Sequence, residues 1–203
     1  DKARQLFQLL VARRGRWMQR DEICELLWPH LSPEAAGRDF KVALNALNKA
    51  LEPGRPADAP AAFVARDGSA YRLRPEADLW LDSAAFAEGV AAGLALLDAG
   101  DQERGTATLA AALELYAGDY LPDALYDDWA AAERDRLLAL YLRGADQLAV
   151  ARLAQGRYDE AAELSLAMLA RDRCHERAYR LLMLAQARQG NRALALRAYQ
   201  RCA

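Results

Sequence analysis

Five side chains between Arg38 and Lys49 have the types and spacing to do recognisable chemistry in this chain of 203 residues. Arg38, Lys41, Asn45, Asn48 and Lys49 fall largely on one side of an α-helix if the segment is helical. Cations neutralise phosphate or reach the acceptor edge of guanine, and asparagine amides pair with the edge of adenine or donate to phosphate. Three more arginines, Arg66, Arg72 and Arg74, lie in two short runs downstream, where they can enter a minor groove or hold a sugar-phosphate backbone. A plainer reading stays open for each: cations on a helix face are commonly just solvated. The asparagines ask for a local reason, because asparagine is a poor helix former in a helix interior.

The elements that must position these groups are legible. Residues 2–13 place Leu6, Phe7, Leu9 and Leu10 on one helical stripe. A short helix is expected from about Asp21 to Trp28, with Ile23, Leu26 and Leu27 inward and Pro29 stopping it. Ser32-Pro33-Glu34 is a helix start: a capping hydroxyl, a proline suited to the first turn and an acid at the positive end of the dipole. From there Phe40, Leu44, Leu47 and Leu51 form one apolar face to about residue 51. Pro53, Gly54, Pro56 and Pro60 make 53–61 a loop. Phe63–Arg66 and Tyr71–Arg74, separated by Asp67-Gly68-Ser69, predict a β-hairpin with Arg72 and Arg74 on one face. Trp17 and Trp28 are expected in the core or in domain packing.

Pro75 and the residues after it mark a candidate junction, so we expect one domain over 1–75 and another over 76–203. The second half reads as helical throughout. Helices are expected at about 82–99, up to Tyr116 and from Asp127 to Ala154, followed by three more separated at Gly156, Cys174-His175 and Gly190. Gly156 and Gly190 are 34 residues apart, and Leu148/Leu182 and Ala161/Ala195 repeat at the same offset. A helix-turn-helix period of this length, with small residues where helices cross, is the tetratricopeptide pattern. An irregular helical bundle is the alternative.

Composition narrows the classes. Hydrophobic residues make up 53% and charged residues 28%, which fits a packed protein rather than a disordered one. Residues 1–75 carry 13 Lys and Arg against 9 Asp and Glu, whereas residues 76–203 carry 14 against 20, so a basic half precedes an acidic one. Cys24, Cys174 and Cys202 lie far apart with no CxxC pair, which predicts reduced thiols. No run of apolar residues suits a membrane span, and the first residues have no signal-peptide character, so a cytoplasmic location is expected. His30 and His175 lie in no metal-ligand pattern, and no phosphate-binding glycine loop or GxSxG motif occurs. Asp127-Asp128 and Asp159-Glu160 are paired acids at expected helix starts, where dipole stabilisation accounts for them. No catalytic residue, metal or cofactor is expected, and the chain is not read as an enzyme.

Two stretches carry a family resemblance. Arg14-Gly15-Arg16, Glu22-Ile23-Cys24-Glu25-Leu26-Leu27-Trp28-Pro29 and the run from Ala36 to Pro53 resemble the DNA-binding half of the antibiotic-regulatory-protein type of bacterial transcriptional activator. That half is itself similar to the winged helix of two-component response regulators. The second half is similar to the bacterial transcriptional activator domain through Phe86, Tyr116–Leu121, Asp128-Trp129, Glu133, Arg136, Glu176, Leu182-Met183 and Tyr199. The resemblance implies a regulator that binds promoter DNA and contacts RNA polymerase, with 34–52 as recognition helix and 63–74 as wing. It departs from the family in lacking an initial β-sheet, in having Gln19 where a Ser or Thr cap is usual, and in having Asn48 where a basic residue is common. The end inside a helix at Arg201-Cys202-Ala203 suggests a fragment of a longer regulator.

The expected fold is therefore mainly α: a winged helix-turn-helix with a small hairpin wing, then a tetratricopeptide-like helical repeat domain. The expected partners are double-stranded promoter DNA and RNA polymerase or another protein. A homo-oligomer stays open, and no membrane partner is expected. The alternative is a protein-interaction or ligand-sensing module of a larger signalling protein.

Overall fold

The computed structural model describes residues 1–13, 15–56, 59–125 and 127–202. The chain divides into two compact units, one formed by residues 1–79 with 121–133 and the other by 80–120 with 134–203.

The first unit begins with α1 (Lys2–Ala12), whose N-terminus is capped by the Asp1 carboxylate accepting from the Ala3 N–H. A two-residue strand β1 (Met18–Gln19) leads into α2 (Arg20–Leu27) and then α3 (Pro33–Leu51). As the sequence predicts, Ser32 caps α3 through the Ala35 N–H, and Pro33 occupies its first turn. Gln19 precedes α2 without a side-chain cap. Its side-chain amide oxygen Oε1 instead accepts from the Ser69 hydroxyl, while the Arg20 N–H donates to the Ser69 backbone carbonyl, so the start of α2 is held by the wing. The hairpin is β2 (Val64–Asp67) and β3 (Ala70–Leu73), with β1 added antiparallel on the far side of β3. Met18 pairs with Tyr71, and Arg66 pairs with Tyr71 from the other strand.

The core of this unit is one contiguous cluster. It joins Leu6, Leu9 and Leu10 of α1, Ile23 and Leu27 of α2, and Phe40 and Leu47 of α3 to Val64, Tyr71 and Leu73 of the sheet. Phe40 meets Tyr71 edge-on at 4.9 Å between ring centroids, the favoured geometry for two aromatic quadrupoles. Trp28 is buried as expected, but Trp17 is not: it is 42% exposed. The expectation for Trp17 fails because the residue lies just before β1, on the face that carries Arg72. The guanidinium of Arg72 lies 4.4 Å over the Trp17 ring.

At the end of α3 the Glu52 carboxylate accepts from the Ala62 N–H with both oxygens, at 3.0 and 3.1 Å, and pairs with Arg55. Arg55 also donates to the Ala59 carbonyl. The loop between α3 and the wing is thus tied at its ends.

The second unit is helical: α4 (Asp82–Asp98), α5 (Gln102–Glu114), most of α6 (Asp128–Ala154), α7 (Tyr158–Arg171), α8 (Glu176–Arg188) and α9 (Arg192–Cys202). The repeat is visible in its hydrogen bonds. Gly156 and Gly190 both have positive φ, and each N–H bonds three residues back, to Leu153 and Ala187. The next N–H groups, Arg157 and Asn191, each bond five residues back, to Arg152 and Gln186. This is one helix-terminating motif copied at the repeat offset, and a third copy at Gly100 and Asp101 ends α4 off the period. Asp128 lies in the first turn of α6, and Asp159 and Glu160 in that of α7, where the dipole stabilises acids.

Glycine has opposite roles at two helical positions. On α4, a Cβ at Gly93 would lie 2.7 Å from Leu109 Cγ and 3.0 Å from the Leu109 backbone nitrogen, so glycine lets α4 and α5 approach. On α3, a Cβ at Gly37 would meet nothing within 4 Å. Gly37→Ala should therefore stabilise the chain by roughly 1 kcal/mol through helix propensity. Gly93→Ala should destabilise it by about 1–2 kcal/mol, because overpacking outweighs the same propensity gain. Denaturation midpoints moving in opposite directions would bear this out; a rise for Gly93→Ala would refute the close-approach argument.

Candidate nucleic-acid interface

The packing of α3 decides what its other side can do. Ala36, Phe40, Ala43 and Leu47 are buried. Arg38, Lys41, Asn45 and Lys49 all lie on the opposite, exposed side. None of these four makes an ion pair or side-chain hydrogen bond among the described residues. Their donors are open to a ligand, with no internal partner to be broken first. Asn48 sits on the flank: it is half-buried, and its side-chain oxygen is enclosed without a hydrogen-bond partner.

The wing arginines are set differently from one another. Arg66 is exposed, with its Nε donating to the Gly68 carbonyl at 2.9 Å and its guanidinium 5.8 Å from the Tyr71 ring. Arg72 is stacked on Trp17, and its Nε is buried without a partner. Arg74 follows β3, donates from Nε to the Ala61 carbonyl at 3.0 Å and pairs with Glu76 at 3.4 Å. That pairing contributes to holding the Glu76 carboxyl below its ordinary value, after the larger effect of its own backbone N–H. Arg74 is therefore committed to the frame of the hairpin, whereas Arg66 near the tip is the most open of the three.

Sequence reasoning passed over two features of this surface. Val42 lies beside Arg38 and Asn45, at the edge of the cationic stripe, and is 69% exposed. The available signal was a β-branched residue at a solvent-facing position of a helix, which amphipathic patterning does not require. The Trp17–Arg72 stack was the second, because a two-residue strand is too short to show alternation.

In the helical unit, the residues that carry the resemblance do structural work. Phe86 and Tyr116 are buried with ring centroids 5.2 Å apart, and Tyr116 stacks on Tyr141 at 4.7 Å. Arg171 lies over both tyrosine rings and donates to the Tyr116 carbonyl at 3.1 Å. Burial raises both tyrosine hydroxyls above their ordinary range, so they stay neutral beside that cation. Leu121, which belongs with the first unit, adopts a left-handed backbone, φ 51°, at the turn into Pro122. Arg177 pairs at 2.5 Å with Asp146, which is buried. Among the described residues, no group of three His, Cys, Asp or Glu side chains is placed to hold a metal ion, and no helix is long and apolar enough to cross a membrane.

Comparison with known proteins agrees with the resemblance read from the residues. The chain is 29% identical over 196 residues to the regulatory protein AfsR of Streptomyces coelicolor, a match that covers 97% of this chain and 19% of that protein. It shares the fold of Mycobacterium tuberculosis EmbR, solved in complex with a low-affinity phosphopeptide, with a TM-score of 0.81 and 24% identity over 99% of this chain and 52% of the other. The chain thus spans about a fifth of the one and half of the other. The mainly helical fold with its winged helix and tetratricopeptide-like repeats has a solved counterpart. The profile of the bacterial transcriptional activator domain matches residues 81–203, more than half the chain, and the chain belongs to that family.

Proposed function

We propose that this chain is the promoter-binding and activating part of a cytoplasmic transcription regulator. The α3 helix lies in the major groove, with Arg38, Lys41, Asn45 and Lys49 toward phosphates and base edges. Asn48 serves from the flank. In the wing spanning 63–74, Arg66 contacts the neighbouring minor groove or backbone, while Arg72 and Arg74 add positive potential. The observation that carries this reading is the set of four uncommitted polar side chains on the exposed side of α3, in the half of the chain with a basic excess. Residues 1–75 form the DNA-binding domain in this reading, and 76–203 the activating one.

The helical unit supplies the protein contact. Between α7, α8 and α9 lies a groove of about 630 Å³, lined by Leu169, Leu182 and Leu194 together with Arg173, Arg197 and Arg201. None of these arginines is ion-paired among the described residues. An apolar floor with a cationic rim suits an acidic amphipathic segment, whether on RNA polymerase, another regulator or a second copy of this chain. The same groove supports the alternative that the chain is mainly a protein-interaction module.

Two outcomes test the leading reading. Affinity for double-stranded DNA, followed by fluorescence anisotropy, should fall linearly with the logarithm of salt concentration, and Arg38→Ala or Lys41→Ala should each weaken binding and flatten the slope by about 1 where a phosphate contact is lost. Salt-independent binding, or none, would overturn it in favour of the interaction module. Within the wing, Arg66→Ala should reduce DNA affinity with little effect on stability. Arg74→Ala should instead cost about 1–2 kcal/mol of stability through its lost hydrogen bonds. The reverse ranking would contradict the roles given to them.

A further inference from the structure

We propose that Val42, with Ala46 one turn further along, reads the C5-methyl group of a thymine. This proposal rests on the reading that α3 enters the major groove. At ~100° per residue, Val42 projects roughly 40° around the α3 axis from Arg38 and roughly 20° from Lys49. It therefore lies at the edge of the cationic stripe, just beyond Lys49, and well away from the buried face. Val42 is 69% exposed, and among the described residues only Trp80, at 70%, is as open a large apolar side chain. Ala46 is exposed as well.

Solitary apolar residues at a surface are ordinary, and exposure alone would carry nothing. The surroundings make the difference. Valine loses side-chain freedom in a helix, so an exposed valine costs helix stability relative to alanine or lysine, and the packing of α3 returns nothing for it. Its neighbours are the uncommitted Arg38, Asn45 and Lys49 on one side, which would bring a duplex to this surface and exclude water from it, and the exposed Asp39 on the other. A methyl-bearing side chain held there meets the one apolar group that base pairs present in the major groove, the thymine methyl. The charged and amide ends of the arginine, lysine and asparagine side chains do not supply that contact, so Val42 adds discrimination of thymine from cytosine where they do not.

The test uses the whole chain and duplex DNA selected by it from a random pool. Each thymine of the selected site is replaced in turn by deoxyuridine, which deletes only the methyl group. One replacement should weaken wild-type binding about fourfold, the value of one buried methyl-sized group. In Val42→Ala the penalty at that thymine should shrink, Ala46 and the remaining Cβ keeping part of the contact, while penalties at other thymines persist unchanged. The variant folds at least as well as the parent, since alanine is the better helix former. Equal uracil penalties in both proteins at every position, no penalty anywhere, or a selected site without thymine would overturn the role of Val42 while leaving groove binding by α3 intact. Failure of the chain to bind duplex DNA at all would overturn both.

Discussion

The rotation of α3 about its own axis is the constraint from which the rest of the first unit follows. Phe40 sets it. A large ring buried against the edge of Tyr71 has one comfortable place, and Ala36, Ala43 and Leu47 fall on the same side at helical spacing. Turning α3 by one residue would bring Arg38 or Lys41 toward the core, where an unpaired cation costs far more than the displaced packing returns. The apolar face is thus an instruction about where the polar face points. The Tyr71 ring couples that instruction to the sheet, because Tyr71 belongs to the central strand, flanked by Met18 on one side and Arg66 on the other.

The helical unit obeys a different constraint, the distance at which helices meet. Gly93 and Gly105 each sit where a Cβ would collide with a leucine of the facing helix, and Gly89 where it would collide with Ala112. Close approach buries much area with small side chains, which explains how so alanine-rich a segment sustains a core. The repeated helix-ending bonds at Gly156 and Gly190 give successive hairpins the same turn, so that the second pair stacks as the first did. Arg171, held by two tyrosine rings and a backbone carbonyl, sits in this unit as a cation whose role is packing.

Much of this was legible in the sequence because it rests on periodicity and punctuation. The Ser32-Pro33 start of α3, the hairpin around Gly68 and the 34-residue offset all appear as local signals, and the structure realises them within a residue or two. The two-residue β1 was not legible, since pairing with β3 rather than its own pattern creates it. Trp17 was misjudged for a related reason: hydrophobicity says that a tryptophan prefers cover, but not that the cover is the guanidinium of Arg72. The candidate interface was legible as a set of residue types. Which arginines are already engaged was not, because the partners of Arg74 include a backbone carbonyl thirteen residues away.

The clasp at Glu52 has an architectural consequence. With its carboxylate holding the Ala62 N–H, the chain leaves α3 and returns to the same place before the wing begins. The excursion between them is a closed detour, and the entropic cost of a detour grows only slowly with its length. Natural variants can therefore lengthen or shorten this stretch without shifting the hairpin relative to the helix it accompanies. The spacing of the two elements is set by the packing of Phe40 on Tyr71 and clasped at this end by the Glu52 carboxylate, and it does not depend on how many residues the connection happens to contain.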